Sequence, residues 1–265
     1  MRIALGDWAI QKISKWFTKE TEPKRSYMSS YVGISHNIRP SDVLLFEGRR
    51  RISNIIKQIT RSPWSHAALY IGRIQEIDDP TLVAKIKEHF DGPDDEQLVI
   101  ESELGQGVII TPLSFYKDEH IRISRPSSIS VLDAKKVIEY AIGQLGGHYS
   151  IRHILDLLRF LFPWAIFPRR WRSSLFSHNA LKPTEDICSS MIAQAFMSVD
   201  YPILPRVEYD SKTGYELTRR NPKLFTPSDF DYSPYFEIIK YPIFGNSKKM
   251  AYKDLQWKKG EISHD

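Results

Sequence analysis

The chain of 265 residues contains a single cysteine, Cys188. One cysteine excludes a disulfide within the chain and a zinc site built from several thiolates. The thiol is therefore either a small apolar residue of the core or a reactive group. Because free cysteine is among the most buried residue types, a core position would need no further function.

The sequence also lacks long apolar runs and nucleic-acid motifs. No stretch reaches the roughly 18 uncharged apolar residues of a membrane span. The apolar residues at the N-terminus are interrupted by Asp7 and Lys12 and precede no small-residue cleavage site, so we do not expect them to be a secretory signal. Net charge is +5, but no basic block is longer than that at 49–51. We expect a cytoplasmic protein that does not bind nucleic acid.

What is present is an ordinary globular composition, with 42% hydrophobic and 26% charged residues. Alternating and continuous apolar patterns predict strands, and apolar stripes with a 3.6-residue period predict helices. Strands grouped between helices predict an α+β fold. The predicted strands are 42–46, 66–72, 98–103, 108–113 and 120–124, and the predicted helices are 3–18, 52–60, 130–147, 151–162 and 186–199.

We divide the chain into three parts. We expect residues 1–39 to form an N-terminal amphipathic helix and a linker, and residues 40–200 to form the main domain. Within it, residues 75–97 are rich in Asp, Glu and Pro and predict an insertion with one helical turn. Residues 201–265 show no strong period, which predicts a wrapping tail.

Cys188 lies near a predicted helix start. Asp186 is a suitable N-cap, which puts the thiol in the first helical turn. The backbone N–H groups and the helix macrodipole favour an anion there, so they favour the thiolate, which is the nucleophilic form. The same N–H groups could stabilise a developing oxyanion.

A thiolate nucleophile requires a base and a group that orients the base. His66 follows a turn and leads an apolar strand, and strand ends are where rigid scaffolds present catalytic groups. Glu101 lies inside another apolar strand, where a carboxylate is costly to bury without a partner such as an imidazole. Glu103 shares its face but lies nearer the turn, as expected of a solvent-facing residue. A hydrogen-bonded core histidine is the alternative for His66.

Four stretches together resemble a known family: "SDVLLF", "TRSPWSHAALYIG", "VIESELGQGVIITPL" and "DICSSMIAQAF". They are similar to the permuted papain-like amidases, the YiiX-like branch of the NlpC superfamily. The resemblance implies a circularly permuted papain-like fold, with an antiparallel sheet or small barrel packed with helices. It also implies that Cys188 is the nucleophile, His66 the general base and then acid, and Glu101 the residue that holds the imidazole, with no metal and no cofactor.

The sequence departs from the family pattern at two positions. Ser41 stands where a glycine is usual before the first strand, and Ser150 stands where an aspartate is usual after a helix. Neither departure touches the three catalytic candidates, but both leave the shape of the cleft open. Trp64, Tyr70 and Tyr149 are the candidate substrate contacts.

The resemblance implies a cysteine-dependent hydrolase that cleaves a peptide or N-acyl amide bond through a thioester. The alternative is a lipid acyl hydrolase or acyltransferase at a membrane surface. Residues 3–18 are amphipathic, and residues 151–172 mix aromatic with basic side chains, which suits peripheral membrane contact. A binding module with an idle site, and a metal site formed by Cys188, His66 and Glu101, are the remaining alternatives.

Overall fold

The computed structural model describes residues 29–49, 51–103, 106–147, 188–211 and 214–241. The predicted helices at 3–18 and 151–162 lie outside the described residues, as do Tyr149, Ser150 and the segment 151–172. Within the part that is described, no helix has both the length and the apolar character needed to cross a membrane.

A six-stranded antiparallel sheet organises the fold, in the order β4-β3-β2-β1-β5-β8. Strands and helices combine as the sequence predicts, which confirms the α+β class. The strands of the sheet are β1 (Val43–Phe46), β2 (His66–Gly72), β3 (Leu98–Glu103), β4 (Gly107–Pro112), β5 (Ile121–Pro126) and β8 (Phe236–Ile239).

The described helices pack around this sheet. Side chains cap the start of several of them. Ser30 accepts a hydrogen bond from the backbone amide of Gly33, and Ser130 accepts one from the backbone amide of Asp133. The α-helices are α1 (Tyr31–Asn37), α2 (Arg51–Thr60), α3 (Pro80–Lys87), α4 (Val131–Gly143), α5 (Cys188–Met197) and α6 (Pro227–Tyr232).

Strand register defines two ends of the sheet. Phe46, the last residue of β1, pairs with both His66 and Ile121, which are the first residues of β2 and β5. The last residues of β2 and of β5 therefore lie together at the opposite end of the strands. We call the end of the sheet that carries His66 the histidine end and the opposite end, where β2 and β5 finish, the far end.

Each face of the sheet covers its own core. Leu45, Leu69 and Ile100 point to the first face, where α4 and α5 pack. Leu44, Ala68 and Val99 point to the second face, together with residues of α1 and the 3₁₀ turn Leu113–Tyr116. Because both faces are covered, the central strands are apolar at successive positions, which explains the continuous apolar runs in the sequence.

The insertion at 75–97 is more structured than its polar composition predicts. It holds part of the 3₁₀ turn Ile74–Glu76 and the two-turn helix α3, which packs against α4. Asp79 caps α3 and Pro80 occupies its first position, both favourable at a helix start. Ile86 is fully buried in the first core, so the segment contributes to the fold.

The chain after residue 200 also contains more regular secondary structure than the wrapping tail that the sequence predicts. It contains a separate hairpin of β6 (Arg206–Asp210) and β7 (Gly214–Thr218), followed by α6 and β8. β8 adds to the main sheet beside β5, and Phe236 is buried in the first core. These elements are only four to six residues long, too short to produce a detectable period. The three-part division of the chain stays a prediction.

Candidate active site

His66 and Glu101 form a hydrogen-bonded pair at the histidine end of the sheet. Alternation along β2 and β3 places both side chains on the second face, and Nε2 of the imidazole contacts Oε2 of the carboxylate. The His66 side chain is 20% exposed, whereas that of Glu101 is 2% exposed. The carboxylate is thus sealed in the protein while the imidazole reaches towards solvent.

Two hydroxyl groups complete the surroundings of the Glu101 carboxylate. Tyr116 Oη lies 2.5 Å from Oε1 and 2.6 Å from Oε2, and Thr111 Oγ1 donates to Oε1. Burial raises the pKa of Glu101, but the bonds and charge of His66 and the two hydroxyl donors outweigh it, so the pKa of Glu101 is lowered. Glu101 is therefore a carboxylate at neutral pH, suited to hold an imidazole and stabilise its protonated form.

Aromatic packing fixes the ring of His66. Phe46 lies between the two polar groups of the site, with ring centroids 5.7 Å from His66 and 4.2 Å from Tyr116. Phe46 is itself buried and pairs with His66 in the sheet. The imidazole is thus held by the strand, by a ring contact and by a hydrogen bond, which restricts its rotation.

The turn before His66 is built by the serines of the "SPWSH" stretch. Ser62 Oγ accepts from the amide of Trp64, and Ser65 Oγ accepts from the amide of Gly48. The amide of Ser65 donates to the carbonyl of Phe46 and so continues the β1–β2 pairing to the residue before His66. These bonds explain why small polar residues surround the histidine: they end the turn and begin the strand.

The structure buries both described candidates for substrate contact. Trp64 is 1% exposed; its Nε1 donates to Asp231, and its ring stacks on His120. Tyr70 is 2% exposed, packs in the second core and accepts from the amide of Gln97. A substrate contact by either residue stays a prediction, and the observed contacts give both a structural role.

Helix α5 begins at Cys188 and packs against β2 and β3. Near its C-terminal end, the ring of Phe196 lies 5.1 Å from that of Phe236. Phe236 pairs with Pro126, the last residue of β5, at the far end of the sheet. Since ten helical residues span about 15 Å, the start of α5 lies well away from this aromatic contact.

Helix α5 and the His66–Glu101 pair lie on opposite faces of the sheet. The buried residues of α5 belong to the first core, whereas the pair belongs to the second face. The side chain of Cys188 lies outside the described residues, as does the predicted N-cap Asp186.

His66, Glu101 and Glu103 are a group that could hold a metal ion, with ligand atoms within 4.8 Å of one another. A cation bound by all three would compete with contacts already formed. Both oxygens of Glu101 accept hydrogen bonds from hydroxyl groups, and Oε2 also contacts His66. The arrangement fits an imidazole–carboxylate pair better than a metal centre, because metal binding would separate His66 from Glu101.

The sequence predicts the His66–Glu101 pair but not the two hydroxyl donors. Thr111 carries a weak signal, since it is a polar residue inside the apolar strand that follows Glu101 in a hairpin. Tyr116 carries none, because its position depends on the 3₁₀ turn that follows β4. Their shared role becomes visible only when the carboxylate between them is seen.

An imidazole–carboxylate pair on an antiparallel sheet, with a helix that starts at the sole cysteine on the same strands, is the arrangement of a papain-like thiol hydrolase. Comparison with known proteins agrees. Residues 37–158 match the family described as permuted papain-like amidase enzyme, YaeF/YiiX, C92 family. This match covers just under half of the chain and confirms the resemblance found in the sequence.

The matched range contains His66 and Glu101 and ends before Cys188. Among solved structures, the crystal structure of the metalloprotein yiiX from Escherichia coli O157:H7 is similar, with a TM-score of 0.46 and 14% identity. That similarity covers 77% of this chain and 97% of the other. No curated protein matches the chain.

Proposed function

We propose that this protein cleaves an amide bond with Cys188 as nucleophile, His66 as general base and acid, and Glu101 as the residue that orients the imidazole. The observation that carries the proposal is the hydrogen bond between His66 and the buried, ionised Glu101. The match of residues 37–158 to the permuted papain-like amidase family supports the reaction class. Cys188 is the only thiol in the chain, and its helix packs against β2 and β3, the strands that carry His66 and Glu101.

The hydrogen bond defines the part that each ring nitrogen would play. Nε2 carries a proton donated to Glu101, so Nδ1 is the atom that accepts the thiol proton. The thiolate then adds to the amide carbonyl, and backbone N–H groups at the start of α5 stabilise the oxyanion. The imidazolium gives its proton to the leaving nitrogen, the carbon–nitrogen bond breaks, and an amine and a thioester form.

The second half of the reaction uses the same groups. Nδ1 takes a proton from water, and the oxygen adds to the thioester carbon. Collapse of this intermediate releases a carboxylic acid and returns the proton to the thiolate. Glu101 stays ionised throughout and stabilises each imidazolium.

The experiment is turnover of a coumarin-amide panel that includes N-acyl amino acids and short peptides, with a phospholipid ester as comparison. Cys188→Ala and His66→Ala should each reduce turnover to background, and intact-mass spectrometry should find the acyl group on Cys188 of the wild type. His36→Ala is the matched control, since His36 is exposed and its imidazole bonds to the carbonyl of Val32 within the same helix.

Three results would contradict the proposal. Turnover that persists in Cys188→Ala would refute the thiol mechanism. An equal loss in His36→Ala would show that the assay follows folding and not chemistry. Turnover of the phospholipid ester alone would instead support the lipid acyl hydrolase.

A further inference from the structure

A cavity of about 800 Å³ lies at the far end of the sheet. Ile71 from β2 and Ile138 from α4 are buried and form its apolar floor, and Ile77 and Leu82 line one wall. Its volume lies within the range of about 300–1,000 Å³ that small-molecule sites have. The cavity is therefore large enough for an organic ligand with an apolar body.

This cavity is separate from the His66–Glu101 pair. Ile71 is five residues beyond His66 on β2, a distance of about 17 Å along an extended strand. Their side chains also point to opposite faces, since Ile71 belongs to the first core and His66 faces the second. A ligand in the cavity would not contact the imidazole.

The charges at the cavity favour a cation. Asp42 is the most buried charged residue of the lining. Its carboxylate forms an ion pair with Arg125, which donates hydrogen bonds of 2.9 and 2.7 Å. Ion pairs also join Lys135 to Asp78 across the mouth and Arg73 to Glu76 at its edge. The lining residues outside these pairs include three carboxylates, on Asp79, Glu139 and Glu237, and one cation, on Arg39.

We propose that this cavity is a second binding site, for a small organic cation with an apolar body. The apolar floor would exclude water from the body of the ligand, and the carboxylates at the mouth would attract its positive charge. The floor and the mouth come from different elements, namely β2, α3, β5, α4 and β8, so the site exists only in the folded domain.

The test is isothermal titration calorimetry of the full chain with octyltrimethylammonium, compared with octyl sulfate. The two probes share an apolar tail and differ in charge. We expect the cation to bind at least tenfold more tightly at low ionic strength. Comparable binding of octyl sulfate, or no binding of the cation, would overturn the proposal.

Variants locate the site. Glu139→Gln combined with Glu237→Gln should weaken cation binding about fivefold per charge, the factor for unit charges about 4 Å apart in water. Glu88→Gln is the matched control, since Glu88 is exposed and does not line the cavity. If the double variant binds the cation with unchanged affinity, these carboxylates do not attract the ligand and the proposal is overturned.

A second pair of variants tests the volume. Ala134→Trp places a large ring at the cavity wall and should abolish binding, whereas Ala84→Trp, at an exposed position of α3 outside the cavity, should not. His66→Ala should bind the cation as the wild type does. Binding that survives in Ala134→Trp, or that is lost in His66→Ala, would place the ligand elsewhere and refute the proposal.

Discussion

The hydroxyl group of Tyr116 provides a direct test of how Glu101 is held. Tyr116→Phe keeps the ring that packs on Phe46 and removes one donor from a buried carboxylate. A hydrogen bond to a charged group contributes about 1.5–3 kcal/mol. We expect the free energy of unfolding at pH 7 to fall by that amount, about 3–12 °C in melting temperature for a domain of this size.

The pH dependence distinguishes this cause from a packing defect. The pKa of Glu101 is lowered in the folded protein, so its ionisation stabilises the fold above the unfolded pKa and that contribution is lost as pH falls through the folded pKa. Without the tyrosine hydroxyl, the pKa of Glu101 should rise. The difference between wild type and variant should therefore shrink towards acidic pH.

Urea unfolding of both proteins across the acidic to neutral range measures this difference. Tyr232→Phe is the matched control, because Tyr232 is largely exposed and the same atom is removed. A loss below about 0.5 kcal/mol at pH 7, the usual size of a surface substitution, would refute the argument. So would a loss that stays constant with pH.

Two further predictions concern the reactive thiol and the backbone before β1. Iodoacetamide should alkylate Cys188 rapidly below pH 7, because a thiolate at a helix start persists there; a rate that follows an ordinary thiol near pH 8.5 in mass spectrometry would favour a core cysteine. Ser41 has φ of 73°, a left-handed conformation that favours glycine. Ser41→Gly should raise the free energy of unfolding by about 1 kcal/mol in urea titrations. Ser127→Gly is the control, because Ser127 lacks a positive φ. If Ser41→Gly gains no more than this control, the backbone at Ser41 is not strained.

Much of the sheet could be predicted because its strands are bounded by strong turn signals and carry long apolar patterns. The His66–Glu101 pair was predictable for a different reason: a carboxylate inside an apolar strand requires a partner, and few side chains could supply one. β8 could not be predicted, since four residues give too little periodicity and its pairing with β5 spans more than a hundred positions. The cavity at the far end was equally hidden, because five elements distant in sequence form it.

Ser41 shows how the fold holds a serine at a position where the resemblance leads us to expect glycine. The amide of Ser41 donates to the carbonyl of Tyr70, and the next residue, Asp42, is fixed by Arg125. These bonds hold the backbone in a conformation that a serine adopts reluctantly. The strained turn therefore depends on the same ion pair that lies at the cavity.

The site and the sheet register depend on each other. In the observed pairing Glu101 lies opposite Ile109, and Thr111, two residues further along β4, reaches the carboxylate from the same face. A slip of one residue between β3 and β4 would turn Thr111 to the other face and leave Glu101 with fewer donors. A buried carboxylate without its partners costs several kcal/mol, so the slipped register is strongly disfavoured. The carboxylate that orients His66 thus also selects the strand pairing that positions it.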